Sequence, residues 1–219
     1  MTRLLKLCAV ATLLSLAVVV SGTDSTGIAT VQFKVDFPDS NPAHYEITVQ
    51  SDGHCSYTSD GELGKGATTD SASYEFTLSD KTRQEIFDLA KRAHYFSGKV
   101  DSGNTRIANM GVKTLTYKNA SHNTSATYNY STNVAVQQIT STLQNLSTAL
   151  EYGRRLTWFH RYQKLALEQD LKQMEERQRE GTIGDVQAIV PILKQIADDQ
   201  SVMRITRARA LRLLALTGN

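Results

Sequence analysis

The stretch Tyr45-Glu46-Ile47-Thr48-Val49-Gln50-Ser51-Asp52-Gly53-His54-Cys55-Ser56-Tyr57 decides the fold. Tyr45, Ile47 and Val49 alternate with polar residues, and Cys55 and Tyr57 resume the period of two after Ser51-Asp52-Gly53. Asp-Gly between two alternating runs signals a hairpin, because glycine accepts the positive φ of a tight turn. Alternation also implies a sheet with a single apolar face, which some other element must cover.

Upstream, Val31, Phe33, Val35 and Phe37 form a further alternating run, broken by Pro38 to Pro42. Downstream, a turn-rich stretch from Asp60 to Asp70 leads to a strand at Tyr74, Phe76 and Leu78. Ser79 is placed to cap a helix with apolar positions Ile86, Leu89, Ala90 and Ala93, ending near His94-Tyr95-Phe96. After a polar loop, Leu115 and Tyr117 pair with Ala126, Tyr128 and Tyr130 as a second hairpin around Asn119 to Asn123. Asn133 caps a second helix, striped by Val136, Ile139, Leu143, Leu146 and Leu150. Residues 23–150 therefore read as an α+β domain, a small antiparallel sheet covered by two helices.

Residues 151–219 read as an all-helical C-terminal segment. Leu156, Phe159, Tyr162 and Ala166 line one side, and Leu167, Leu171 and Met174 continue the pattern up to Gly181. Thr182 or Asp185 caps the next helix, which Pro191 should kink or split. The last helix, from about Ser201 to Leu216, is apolar around much of its circumference and needs neighbours.

The 219 residues are 40% hydrophobic and 21% charged, an ordinary globular composition. Residues 1–22 read as a signal peptide: Arg3 and Lys6, an apolar run from Leu7 to Val20, then small residues Ser21-Gly22. The run is shorter than the roughly 20 residues that span a bilayer. The expectation is an exported protein, periplasmic or secreted, with no transmembrane segment after cleavage. Cleavage removes two bases and no acid, leaving 22 of each sign, a balance without an electrostatic footprint for nucleic acid. It also removes Cys8, so Cys55 stands alone and is expected to be buried and inert, with His54 on the opposite face.

No catalytic residue can be assigned. Gly61 to Gly66 is a glycine-rich loop without the Ser/Thr and helix start of a phosphate loop. His44, His54, His94, His122 and His160 lie far apart, so no metal or cofactor is expected. No Gly-x-Ser-x-Gly elbow is present, and Asp101, Arg106 and Asn109 read as a solvated loop. The densest basic cluster, Arg204, Arg207, Arg209 and Arg212, supplies the candidate partner-binding residues. At about 100° per residue their directions scatter, which favours salt bridges to acids such as Asp198 and Asp199 over a membrane-lying face.

Two resemblances accompany these readings. Tyr45-Glu46-Ile47-Thr48-Val49, Asp52-Gly53, Leu78-Ser79 and Tyr95-Phe96 resemble a small α+β domain of unknown function found in exported bacterial proteins, over about residues 45–150. Val190-Pro191-Ile192-Leu193, Asp198-Asp199 and Arg207-Ala208-Arg209-Ala210-Leu211 are similar to a HEAT-type helical repeat, whose arrays bind proteins. The leading expectation is a non-enzymatic module binding a protein or envelope component through the helical tail. A hydrolase of cell-wall glycan with unidentified carboxylates and a self-associating structural subunit remain open alternatives.

Overall fold

The alternating runs form six strands: β1 (Thr30–Asp36), β2 (His44–Gln50), β3 (Cys55–Ser59), β4 (Ala72–Phe76), β5 (Val112–Lys118) and β6 (Asn123–Tyr128). They build one antiparallel sheet in the order β4-β3-β2-β1-β5-β6, seen in a computed structural model that describes residues 27–63 and 71–217. The expected signal segment lies outside the described residues, as do Gly64 to Gly66 of the glycine-rich loop. Gly53, at φ 101°, closes the β2–β3 hairpin as the Asp-Gly pair implied. In register, Phe33 lies between Ile47 and Leu115, and all three are buried on the inner face.

Helix α1 (Asp80–Arg92) begins where Ser79 accepts a hydrogen bond from the Thr82 amide. A left-handed turn follows, with positive φ at His94, Tyr95 and Phe96, and the Tyr95 ring stacks 4.2 Å from His122. Helix α2 (Val134–Tyr162) starts at Asn133, whose side chain accepts from the Ala135 and Val136 amides. Its stripe Val136, Ile139, Leu143, Leu146 and Leu150 is fully buried under the sheet. Among the described residues, five α-helices and six strands make this an α+β fold, with the helices mostly C-terminal.

Helix α2 crosses the whole sheet. Thr140 meets Tyr128 of β6, Ser147 and Glu151 meet Tyr57 of β3, and the Leu150 carbonyl meets Tyr74 of edge strand β4. A 29-residue helix is roughly 43 Å long, whereas six strands span about 24 Å. The helix therefore runs past β4, and the downstream segments pack on this overhang and back along α2 as far as Asn145, whose carbonyl accepts from the Gly184 amide at 2.8 Å. The division expected at residue 150 falls inside α2, at the point where it leaves the sheet. The two parts share this helix and one buried cluster.

On the overhang pack α3 (Leu167–Glu180), ended by Gly181 at φ 67°, then α4 (Val190–Asp198) and α5 (Arg204–Leu214). Pro191 splits its segment as expected: a 3-10 turn, Val186–Ile189, precedes it, and proline occupies the first turn of α4, where a missing amide costs nothing. Asp185 caps that turn through the Gln187 amide and also accepts from the Ser79 amide and hydroxyl, at 2.8 and 2.6 Å. Among the described residues, no helix is long and apolar enough to cross a membrane.

Candidate binding groove

The overhang of α2, the 3-10 turn with α4, and the edge of β4 enclose a groove of about 530 Å³. Gly153 sets its depth. A Cβ there would stand 2.4 Å from Ile189 Cγ2, so only glycine lets the turn seat this closely on α2. Beyond Gly153 the helix turns Trp158 and Tyr162 toward the groove, their ring centroids 5.5 Å apart. Pro191 and Ile192 form the facing wall, and Tyr74 closes the side nearest the sheet. Tyr162 is 60% exposed and Leu165, just past the helix, 78%. Trp158 is the single tryptophan of the chain.

The polar groups at the groove have distinct roles. Arg154 is bound to Glu151, at 2.8 Å, and both are nearly buried. Glu151 also accepts from Tyr57 and Ser59 at 2.8 and 2.7 Å, so the pair locks α2 to β3. Burial holds the Tyr57 hydroxyl well above the ordinary phenol range, with the Glu151 charge adding to it. Arg161 is exposed and lies over the Tyr162 ring at 5.2 Å, at the rim, and no carboxylate among the described residues pairs with it. A second cavity of about 260 Å³, under Cys55 and Phe76, continues the groove along β4 and shares Glu75, Ala188 and Pro191 with it.

Cys55 is buried, with burial pushing its thiol up to about 11, while His54 is exposed. The thiol is thus protonated at neutral pH and a poor nucleophile. The four tail arginines separate. Arg209 binds Glu168 at 2.8 Å and also Glu175, and Arg212 reaches Glu175 at 2.7 Å, pinning α5 to α3. Arg207 bonds Gln200, and Arg204 is exposed. The salt bridges expected to Asp198 and Asp199 are made instead to α3, because α5 folds back along it. Asp199 is held by His160 and Lys164, at 2.9 and 2.6 Å.

That last cluster also contains Ser201, whose hydroxyl bonds both Lys164 and Asp199. A serine–lysine pair is nucleophilic only with a neutral amine. Here the Asp199 carboxylate sits on the same ammonium, and the Lys164 and Ser201 bonds hold that carboxyl well below its usual range. The cluster works as a clasp between the end of α2 and the α4–α5 turn. On the opposite side, the Asp101–Asn109 loop is tied down by Asp101, which accepts from the Gly103 and Asn129 amides. Among the described residues, no group of three or more His, Cys, Asp or Glu could hold a metal ion.

Sequence reasoning missed the groove, because its walls come from β4, α2 and α4, far apart along the chain. One signal was present: Trp158 and Tyr162 add aromatic bulk to a part of α2 outside the Val136–Leu150 stripe. No protein-family model and no curated protein matches this chain.

Proposed function

We propose that the protein is an exported, non-enzymatic binding module that recognises a protein partner in the groove beside β4. The observation carrying this reading is the placement of Trp158, Tyr162 and Pro191 around a 530 Å³ cavity on the helical overhang. Binding sites are concave and mostly apolar, with few polar groups, and aromatic anchors dominate interface energetics. The export-type sequence of residues 1–22 and the likeness to domains of exported bacterial proteins support the localisation. The tail forms a wall of the groove through α4, and α5, packed beside α4, is pinned to α3 through Arg209.

The buried and half-buried carboxylates weigh against the hydrolase alternative. A glycosidase acid needs a raised pKa in a cleft. Glu151, Asp170 and Glu175 are instead each paired with arginine, and Glu175 is held below its usual range as Arg212 and Arg209 outweigh its burial. The self-association alternative keeps one supporting observation: Ile205 and Leu211 are 54% and 56% exposed on α5.

A photo-cross-linking residue at Thr157, in the groove, compared with one at Thr116, on the polar sheet face, tests the reading in living cells. The expected result is a discrete protein adduct from position 157 alone. Equal adducts from both positions, or turnover of a hydrolase substrate panel by the purified protein, would overturn it.

A further inference from the structure

We infer that the groove's occupant is an extended peptide that adds to the sheet as a strand along β4, with alternate apolar side chains pointing into the cavity and an acidic residue meeting Arg161. This rests on the groove being the recognition site. The β3–β4 register determines which backbone groups are free. Gln50 N bonds His54 O and Asp60 N bonds His44 O, so even-numbered residues of β3 bond toward β2 and Cys55, Tyr57 and Ser59 bond toward β4. Their partners Phe76, Tyr74 and Ala72 are consumed. Ser73 and Glu75 direct their N–H and C=O groups outward, where no described residue bonds them.

The groove lies below this edge with Tyr74 in its lining, and the second cavity continues it at Phe76. A strand hydrogen-bonded to Ser73 and Glu75 would place the residue facing Tyr74 on the inner side of the sheet, about 4.8 Å further out. That position is over the groove bounded by Trp158 and Pro191. Residues bonded to Ser73 and Glu75 would point to the polar outer face, so the pattern required is apolar at every second position. Arg161 supplies the charge complementarity at the rim.

The full mature chain is titrated with synthetic peptides carrying valine at alternate positions and one terminal glutamate, followed through Trp158 emission. Controls are the same peptides N-methylated at alternate amides and versions with lysine for glutamate. Glu75→Pro removes an outward N–H without touching the ladder, and Glu75→Gln retains it. Ser73→Pro serves if Glu75→Pro does not fold.

The expected result is a saturable emission shift, weakened at least tenfold by either proline substitution or by N-methylation, and weakened far less by Glu75→Gln, which keeps the N–H, than by Glu75→Pro. Hydrogen exchange at the Ser73 and Glu75 amides should slow on binding, and Arg161→Gln should abolish the preference for glutamate over lysine. Emission shifts that ignore proline and N-methylation would overturn strand addition while leaving the groove as a binding site. No shift with any peptide would overturn this inference, and the cross-linking at Thr157 then judges the groove separately. Amides already protected in the free protein, by its own chain or a second copy, would also overturn it.

Discussion

The Tyr74 hydroxyl donates to the Leu150 carbonyl at 2.8 Å, and this bond marks where α2 leaves the sheet. Up to Glu151 the inner side of the helix packs on strands, and past Glu151 its neighbours are the later helices. Everything proposed about function depends on that continuation, because Gly153, Trp158 and Tyr162 all lie beyond it. Replacing Tyr74 with Phe leaves the ring packing and removes the tie. A loss of about 1 kcal/mol in urea unfolding is expected, and no loss would mean that the bond is idle.

Gly153 tests the close seating of the 3-10 turn on the helix. Gly153→Ala drives a methyl toward Ile189 and should destabilise by about 1–3 kcal/mol despite alanine's better helix propensity. The same substitution in an Ile189→Ala background should cost much less, since the obstructing Cγ2 is gone. Equal costs in both backgrounds would contradict the contact.

The Glu151–Arg154 pair is nearly buried, so breaking it should cost more than its net worth. Glu151→Gln keeps an acceptor for Tyr57 and Ser59 but removes the carboxylate charge that Arg154 meets at 2.8 Å, an expected loss of about 3 kcal/mol. Tyr57→Phe should cost only about 1 kcal/mol. If denaturant titrations reverse that order, the charge is not what holds α2 to β3.

Acid should loosen the helical overhang. Asp199 and Glu175 both have carboxyl pKa values lowered in the fold, the first mainly by Lys164, the second by Arg212 and Arg209 against the opposing effect of burial. Each contribution is complete above the unfolded carboxyl value of about 4 and drains away as pH falls through the folded value. Melting temperature should drop below that pH, and less steeply in Asp199→Asn and Glu175→Gln than in the parent. Superimposable acid limbs would remove these clasps from the account.

The tail arginines should behave unequally. Arg209→Ala severs α5 from Glu168 and Glu175 and should cost about 1–3 kcal/mol. Arg204→Ala, at an exposed position, should stay within about 0.5 kcal/mol. Thermal unfolding of the two variants side by side decides whether the cluster is structural or a free surface.

Much of the fold was legible because its signals are local. The runs at Val31–Phe37 and Tyr45–Tyr57 became strands, and Ser79, Asn133 and Gly181 ended their helices as capping chemistry requires. What stayed hidden was non-local. Lys113 sits in the inward phase of β5, buried, its ammonium shared among the carbonyls of Met110, Gly111 and Asn129, and nothing in its neighbours' types announces that. The arginines' true partners, Glu168 and Glu175, lie a helix earlier than the nearby Asp198 and Asp199, because a turn at Asp199 reverses the chain. The groove was invisible for the same reason: Tyr74, Trp158 and Pro191 meet only after α2 has crossed the sheet.

Acrylamide quenching of Trp158 in the chain from residue 23 onward, alone and with the cross-linked partner bound, tests recognition at the groove. As the single tryptophan, it reports the groove without a label. Ready quenching is expected in the free protein, with clear protection when the partner is bound. Quenching that the bound partner leaves unchanged would place recognition elsewhere on the molecule and contradict the account.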